Sequence, residues 1–437
     1  MAATKGVPMT SHPHGKAEPA RSVAAHAAAV AELLQPLRSP ERTEVLPLIQ
    51  ALGRGLVDHV AAPISLPPFA NSQMDGYAVR SGDLSGAGAD LRIVPPVPAG
   101  SSPQPLAPGT AAPIMTGAMI PEGADAVVPI EKAVPDRFPE PAPDGAVNWN
   151  GTVKLNGTAN WNGTVKLPAT APGTYVRAAG SDIAAGERAL AAGTCLGPAQ
   201  LGLLAALGIP EVTVSKAATV LLVTTGDEVV DPGRDLAPGK IYDSNGTLLE
   251  AAMQQAGLTV RRTAISTDNP AELLALLRAG SPRADLIVTT GGVSKGAYEV
   301  VRQAMAGQPV EFLHVAMQPG GPQGIGTFDG VPFLGFPGNP VSCLVSFEMF
   351  LRPALSAFLG APAPRLPLRA RLDQPLASPA HKHQVRRGSL QPDGTVKLEG
   401  GEGSHLMHAL AGSNVLVHVP AGVTELAAGD EVEVWML

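Results

Sequence analysis

The chain has 437 residues, of which 45% are hydrophobic and 16% charged, with a formal net charge of −7. That length exceeds what one hydrophobic core usually supports, so we expect several domains. The acidic balance argues against a nucleic-acid or membrane surface, because such surfaces are built from clustered Lys and Arg.

Residues 1–18 lack the apolar stretch of a signal peptide and are predicted to be a disordered tail. No apolar run in the sequence is long enough to span a bilayer. We therefore expect a cytoplasmic protein with no membrane partner. The two cysteines, Cys195 and Cys343, have no metal-site spacing. Cys343 is expected to be a small core residue rather than an activated thiol.

The N-terminal third predicts helices followed by a β-rich region. Apolar residues recur at helical spacing in 22–37 and 43–60, which predicts two helices. Short β-like stretches broken by Pro and Gly follow them. We predict a discontinuous helical and extended domain at 19–62 and 170–214, and a β-rich lobe at 63–169.

The octapeptide NWNGTVKL occurs twice, at 148–155 and 160–167. Its Asn-Gly steps favour tight turns, so the repeat predicts an exposed β-hairpin insert. Trp149 and Trp161 could form a binding surface, although cross-strand packing within the hairpin is the favoured interpretation.

Three continuous apolar runs predict a doubly wound α/β domain at 215–362. Each run ends in a Gly-containing polar loop, at 219–228, 285–294 and 331–340, and reads as a parallel strand buried on both faces. Ser244 or Asn245 is expected to cap a helix over 247–256. Pro270 is expected to open a helix ending near Gly280, and a last helix should lie within 341–359.

The ends of these strands predict a binding site. Parallel strands place their carboxyl ends at one edge, where glycines let backbone N–H groups approach an anion. We therefore expect a phosphorylated or otherwise anionic small-molecule ligand. Alternating segments at 394–398, 414–419 and 430–435 predict that 363–437 form a separate small β-barrel or sandwich.

Seven short motifs occur in a fixed order, and each alone would indicate only a turn, a cap or an ion pair. The motifs are MDGYA (74–78), MTGA (115–118), RxxGxDI (177–183), TGDE (225–228), SN (244–245), GGVS (291–294) and PGNP (337–340). Together they resemble the molybdopterin molybdenumtransferases of the MoeA and gephyrin E-domain family.

The resemblance implies a four-domain α/β and β fold with a central MogA-like domain. It also implies an enzyme that inserts molybdate into adenylylated molybdopterin and releases AMP with Mg²⁺ present. The family's acidic and hydroxyl catalytic positions fall on Asp75, Thr116, Asp182, Glu228, Asp268 and Glu299. Its substrate-binding positions fall on Gly226, Asp227, Ser244, Asn245, Gly291, Gly292, Ser294, Pro319, Gly320, Pro322, Pro337, Gly338, Asn339, Pro340 and Ser342. Glu228 and Glu299 are the expected Mg²⁺ ligands.

The expected partners are a second copy of the chain and other enzymes of cofactor biosynthesis. The family pairs one subunit's α/β domain with the other subunit's β-rich lobe. Two other functions stay open: a nucleotidyltransferase or pyrophosphatase on the same α/β domain, and a non-catalytic scaffold.

The chain departs from the family where relatives commonly read Lys-Pro-Gly-Lys-Pro. It has Gln318-Pro319-Gly320-Gly321-Pro322, so two positive charges expected to face molybdate are missing. Lys295 or Arg302 could substitute. If the turn accepts a side chain, Gly321→Lys is expected to strengthen molybdate binding. A positive φ at Gly321 would reverse that effect.

Overall fold

The structure is a computed structural model that describes residues 20–39, 41–138, 163–264, 269–294 and 299–437. Within those ranges the chain forms two units. The first unit comprises the described residues of Met1–Asp58, Gly193–Gly197 and Glu211–Leu437, and the second comprises those of His59–Ala192 and Pro198–Pro210. In the part of the chain so described, no helix combines the length and apolar character needed to cross a membrane.

The helices are short, as the many Gly and Pro residues predict. In chain order they are α1 (Val23–Leu33), α2 (Pro198–Ala206), α3 (Ser244–Gln255), α4 (Pro270–Gly280), α5 (Val300–Ala304), α6 (Pro340–Ser346), α7 (Arg352–Leu359) and α8 (Met407–Ala411). Single helical turns cover Gln35–Arg38, Leu48–Ala51, Ser81–Asp83, Ile130–Lys132 and Ser281–Arg283, and a π-helical turn at Phe347–Leu351 joins α6 to α7.

The strands are also short. In chain order they are β1 (Thr43–Pro47), β2 (Val60–Ala61), β3 (Asn71–Ser72), β4 (Gly76–Val79), β5 (Ala89–Ile93), β6 (Thr110–Ile114), β7 (Ala126–Pro129), β8 (Thr164–Leu167), β9 (Val176–Arg177), β10 (Arg188–Leu190), β11 (Glu211–Ser215), β12 (Thr219–Thr224), β13 (Val229–Val230), β14 (Ile241–Tyr242), β15 (Thr259–Ala264), β16 (Leu286–Thr290), β17 (Val310–His314), β18 (Met317–Gln318), β19 (Pro322–Phe328), β20 (Val331–Phe336), β21 (Pro367–Leu372), β22 (Leu376–Ala377), β23 (His383–Leu390), β24 (Thr395–Leu398), β25 (Val415–Val419), β26 (Glu425–Leu426) and β27 (Glu431–Met436).

The central sheet of the first unit has the strand order β15-β12-β16-β20-β19-β17. β12, β16 and β20 carry the three apolar runs and are parallel neighbours, so this predicted arrangement is confirmed. Sequence analysis missed β15, which is parallel to β12, and the antiparallel strands β19 and β17. β15 reads TVRRTA, which lacks the continuous apolar run expected of a strand buried on both faces.

Helices cover the central sheet on both faces. Leu222 of β12 is buried in one apolar cluster with Leu249 of α3. The next residue back along β12, Leu221, is buried in a second cluster with Leu273 of α4. Because successive side chains on a strand point to opposite faces, these contacts identify a doubly wound α/β domain.

The helix starts follow from capping. The Asp243 side chain accepts a hydrogen bond from the Gly246 backbone N–H at 2.8 Å, so Asp243 caps α3. The prediction of Ser244 or Asn245 as the cap was therefore wrong, by one or two residues. α4 begins at Pro270 and ends at Gly280 as predicted, with Asn269 as its cap.

The helix predicted over 43–60 was wrong. β1 occupies its first part and pairs antiparallel with β11, and Leu48–Ala51 form a single 3-10 turn. Pro47 ends the strand, and Gly53 adopts a positive φ of 74° that a helix interior does not allow. The prediction relied on the spacing of apolar residues alone. β1 and the 3-10 turn bury only some of those apolar residues, so the spacing does not correspond to one buried helix face.

The second unit contains a five-stranded sheet in the order β7-β4-β6-β5-β8. β8 is the last part of the second octapeptide copy and pairs with β5, and Val165 and Leu167 are fully buried in the core. For these residues the prediction of an exposed hairpin was wrong. Trp149, Trp161 and the first copy lie outside the described residues.

The C-terminal segment closes into a five-stranded barrel. β23, β24, β21, β27 and β25 are neighbours in that order, and β25 pairs back onto β23. Val396, Val417 and Val434 belong to its buried cluster. The short strand β18, from the central domain, pairs in parallel with the first two residues of β23. The predicted C-terminal β-barrel is confirmed.

Two buried histidines predict that acid weakens the fold. Burial, with a contribution from Arg21, lowers the pKa of His26 to about 4, and burial with the nearby His383 lowers the pKa of His418 to about 3. Both values lie below the ordinary histidine pKa near 6.5. Below that pH the unfolded chain binds protons that the folded chain does not, so stability should fall as the pH falls.

We expect each histidine to cost about 2 kcal/mol of unfolding free energy at pH 5 relative to neutral pH. Urea denaturation of the wild type at pH 7 and pH 5, compared with His26→Leu, measures this. The His26→Leu chain should lose less stability on acidification. His408→Gln, a change at an exposed histidine, is the control and should behave like the wild type. Equal acid losses in all three proteins would contradict the prediction.

Candidate functional site

The carboxyl ends of the three parallel strands open into one cavity of about 1160 Å³ within the first unit. The cavity gathers most of the sequence-predicted substrate positions and both predicted metal ligands. Those lining it are Gly226, Glu228, Ser244, Asn245, Gly291, Gly292, Ser294, Glu299, Pro319, Gly320, Pro322, Pro337, Gly338, Asn339, Pro340 and Ser342. Their roles remain predictions, but their convergence follows from the topology of the sheet.

The loop after β16 can only be built with glycine. Gly291 and Gly292 have positive φ values of 92° and 62°. A Cβ on Gly291 would lie 2.9 Å from the Thr225 carbonyl oxygen, and one on Gly292 would lie 2.9 Å from the Val301 backbone nitrogen. The Gly291 N–H donates a hydrogen bond to the Phe336 carbonyl at 3.1 Å, so the phosphate donor of this loop would be the Gly292 N–H.

Asn245 joins two of the loops. Its side-chain amide donates hydrogen bonds to the Gly338 carbonyl at 2.5 Å and to the Thr290 hydroxyl at 3.3 Å. Its amide oxygen has no hydrogen-bond partner, although it is buried. A ligand donor in the cavity could satisfy that oxygen. Asn245 also lies in the first turn of α3, whose N-terminus favours negative charge.

Two carboxylates, those of Glu228 and Glu299, line the cavity. The Glu228 side chain folds back over Gly226, so that a Cβ on Gly226 would lie 2.7 Å from the Glu228 Oε2. Glu299 precedes α5 and makes no side-chain cap bond to it. In the described part of the chain, no group of three or more His, Cys, Asp or Glu side chains is arranged to hold a metal ion. A metal here would therefore need ligand oxygens as well as protein ones.

The turn at 318–322 forms another wall of the cavity. Among the described residues that line it, the basic side chains are His314, Lys382 and His405. Arg302, which sequence analysis offered as a substitute cation, does not line the cavity and stacks on the Phe312 ring with its guanidinium carbon 5.4 Å from the ring centre. Lys295 lies outside the described residues.

The C-terminal barrel supplies a part of the cavity that sequence analysis missed. Lys382, Glu402, Gly403, Ser404, His405 and Met407 line it. The Ser404 carbonyl accepts a hydrogen bond from the Val341 backbone N–H at 3.1 Å, which fixes this segment against the start of α6. The Gly-Glu-Gly-Ser-His stretch at 401–405 was the one local signal, because two glycines beside polar residues indicate a functional loop.

Three predicted catalytic residues belong to the second unit. The Asp75 Oδ1 accepts hydrogen bonds from both the backbone N–H and the hydroxyl of Thr116, each at 2.7 Å. The two motifs that carry them therefore meet. Asp182 is exposed, and its backbone N–H donates to the Leu66 carbonyl at 3.0 Å.

Two further predicted positions, Asp227 and Asp268, are not among the described residues that line the cavity. Asp227 is exposed beside it, and its carbonyl accepts a hydrogen bond from the Lys240 Nζ at 2.5 Å. Asp268 lies outside the described residues.

Cys343 is a core residue, as expected from sequence. It is fully buried, and its thiol lies 2.8 Å from the Pro337 carbonyl oxygen and 2.9 Å from the Thr290 hydroxyl. Burial raises the pKa of the Cys343 thiol to about 12. A thiol that stays protonated is a poor nucleophile, so Cys343 serves to pack and bond the loop that follows β20.

Three family models match successive parts of the chain. They describe the MoeA N-terminal region (domains I and II) at residues 21–208, a probable molybdopterin-binding domain at 221–357, and the MoeA C-terminal region (domain IV) at 369–437.

Named relatives match over nearly the whole length. The chain is 44% identical to molybdopterin molybdenumtransferase 2 of Mycobacterium tuberculosis, over 95% of this chain and 100% of the relative. It is 33% identical to the molybdopterin molybdenumtransferase of a Nostoc species, over 98% of this chain and 96% of the relative. A crystal structure of a molybdopterin biosynthesis MoeA protein from Pyrococcus horikoshii matches 93% of this chain and 98% of its own, with 30% identity and a TM-score of 0.71.

Proposed function

The chain belongs to the MoeA family and is a transferase of molybdenum cofactor biosynthesis, and from that premise we propose that it inserts molybdate into adenylylated molybdopterin in the cavity of the first unit, releasing AMP. The observation that carries the proposal is the convergence of three Gly-containing loops and the barrel segment on one large cavity. Adenylylated molybdopterin together with molybdate presents anionic groups at more than one place, so it requires a larger cavity with several polar walls than a simple phosphate does.

The cavity divides its chemistry among its walls. We assign phosphate binding to the backbone N–H of Gly292 and to the start of α3, since these supply a donor and a positive dipole end. The side chain of Asn245, which already fixes the neighbouring loop, orients the same ligand. We assign molybdate binding to the wall formed by 318–322 and the barrel segment.

Mg²⁺ is part of the proposal, with Glu228 and Glu299 as the residues that would hold it. Their carboxylates both line the cavity, and Mg²⁺ is commonly bound through one or two carboxylates together with substrate phosphates. When bound, the ion would offset negative charge on the phosphate that leaves with AMP. Glu228 and Glu299 would otherwise repel that phosphate, so the donor set fits a bound cation.

Reconstitution tests the proposed function. Purified protein is incubated with adenylylated molybdopterin, Mg²⁺ and molybdate, and both AMP and active cofactor are measured. We expect both to form together and to require molybdate. AMP without cofactor would point instead to a pyrophosphatase or nucleotidyltransferase, and neither product would point to a scaffold.

We also propose that the protein is a cytoplasmic homodimer, in which the lobe of one copy completes the cavity of the other. The proposal is supported by the assignment of Asp75 and Thr116 to the second unit, while Glu228 lines a cavity of the first. An isologous dimer would contain two such sites. Other enzymes of cofactor biosynthesis are proposed as donors or acceptors of the small molecules.

Mixing two inactive variants tests the shared site. Asp75→Asn and Glu228→Gln chains, each inactive alone, should recover activity when mixed, because a hybrid dimer keeps one site with both native residues. AMP release before and after subunit exchange measures the recovery. Mixing Asp75→Asn with Thr116→Ala, which fall in the same unit, is the control and should recover nothing. Exchange without any recovery in the first mixture would count against a shared site.

A further inference from the structure

The wall of the cavity at 318–322 lacks the lysines that the family resemblance leads one to expect there. Gln318 and Gly321 stand at those positions. The Gln318 amide donates to a Glu402 carboxylate oxygen at 3.3 Å, so this side chain turns toward the barrel segment. Neither residue carries a charge for an oxyanion. Another group of this chain occupies the space that a side chain at 321 would have filled.

His314 occupies that space. A Cβ built on Gly321 would lie 2.5 Å from the His314 Nε2 and 2.6 Å from its Cε1. These are the outer atoms of the imidazole ring, so the ring lies directly against the glycine. The strand register explains the contact, because His314 pairs with Pro322 at the start of the β17–β19 ladder, beside Gly321.

The glycine at 321 is explained by this ring and not by its own backbone. Gly320 has a positive φ of 97°, whereas Gly321 is absent from the residues of the described chain that adopt positive φ. Any L-residue could therefore take the backbone conformation of Gly321. What excludes a side chain is the imidazole, which is exposed to solvent and lines the cavity.

The surroundings of His314 suit an anion. Lys382 also lines this part of the cavity and precedes β23, whose first residue pairs with Met317 immediately before the turn. The backbone therefore brings a permanent positive charge to the same wall as the imidazole. An imidazole N–H donates a hydrogen bond in either protonation state, and a charged lysine strengthens the attraction for an oxyanion.

We propose that His314 is an oxyanion-binding residue that replaces the side chain missing at 321, with Lys382 supplying the fixed charge. This inference rests on the proposed function, because it takes molybdate as the oxyanion. His314 and Gly321 form a matched pair in which the small residue makes room for the donor. The earlier expectation for Gly321→Lys changes accordingly, since a lysine would displace the imidazole and exchange one donor for another.

Four proteins test the pair: wild type, His314→Ala, Gly321→Lys and the double variant. AMP release is measured against sodium molybdate concentration, which separates half-saturation from maximal rate. We expect His314→Ala to raise the half-saturating concentration about tenfold, the usual effect of losing a charge-assisted hydrogen bond, with a smaller change in maximal rate. In the Gly321→Lys background, where the imidazole is already displaced, removing His314 should change half-saturation less than about twofold.

His314→Gln serves as the conservative variant, because its amide N–H can still donate. Partial rescue of half-saturation by Gln distinguishes a ligand contact from a structural role, and His59→Ala, at an exposed histidine of the second unit, is the matched control. If His314→Ala binds molybdate like the wild type, or weakens it equally in both backgrounds, the proposal is wrong. A wild type that releases no AMP with molybdate would instead overturn the proposed function. Circular dichroism of every variant separates misfolding from both results.

Discussion

Glu228→Gln is expected to abolish metal insertion, with a loss of at least about a thousandfold in AMP release, while leaving the fold intact. The Glu228 carboxylate lies against Gly226 at the end of β12 and faces the cavity. Gln has nearly the same shape but no charge, so it holds a divalent cation far more weakly and cannot balance its charge during phosphate release. Single-turnover AMP release with saturating molybdate and Mg²⁺ measures the effect.

A purely structural role for Glu228 predicts a different result. Glu228 does not cap a helix, because it is followed by β13. The thermal midpoint should therefore stay within a few degrees of the wild-type value. Glu211→Gln, at an exposed carboxylate on β11 outside the cavity, is the control and should retain full activity. Wild-type turnover by Glu228→Gln would rule out the assigned role.

Glu348→Gln is expected to lower the free energy of unfolding of the first unit by about 3–5 kcal/mol. The Glu348 carboxylate is fully buried within the π-helical turn. It accepts hydrogen bonds from Arg365 at 2.8 and 2.9 Å and forms an ion pair with Arg352, whose Nε lies 2.8 Å away. Burial lowers the pKa of Arg352, although the Glu348 charge opposes that shift. Neutralising Glu348 would leave two guanidinium groups in the interior without their counter-ion.

Denaturant unfolding of the purified protein, followed by tryptophan fluorescence and circular dichroism, measures this loss. Glu311→Gln provides the matched control, because Glu311 makes an ion pair with Arg21 at 2.6 Å but its side chain is 58% exposed. An exposed pair contributes about 0–1 kcal/mol. A loss of the same small size in both variants would show that the buried cluster contributes little.

The central domain could be predicted because its strands carry strong local signals. β12, β16 and β20 are continuous apolar runs that stop at glycines, so their type, direction and shared edge follow from burial and sheet geometry. The edge strand β15 could not be found in the same way, since its two arginines interrupt the apolar run. The pattern of apolar residues in a segment indicates how that segment is buried, but it does not indicate which strands pair with it.

The candidate site shows the same division. Gly291 and Gly292 were predicted from a loop motif, and the structure gives the steric reason for both. Lys382 and His405 could not be predicted, because their approach to the cavity depends on how the C-terminal barrel packs beside α6. His314 was missed for a related reason. Its ring occupies the space left by the absent side chain at Gly321, and a sequence does not show which residue fills such a space.

The first unit is assembled from both ends of the chain, and this has a consequence for its synthesis. Val30 of α1 is buried in the same core as Val220 of β12 and Leu355 of α7. β1 pairs with β11, although most of the second unit lies between these two strands in the sequence. During synthesis on the ribosome, α1 and β1 emerge long before the segments they pack against. Their apolar surface therefore stays exposed until those segments have been made. The second unit, whose sheet is contiguous in sequence apart from the repeat region, can fold first. We expect the nascent N-terminal helix to be the segment that chaperones protect longest.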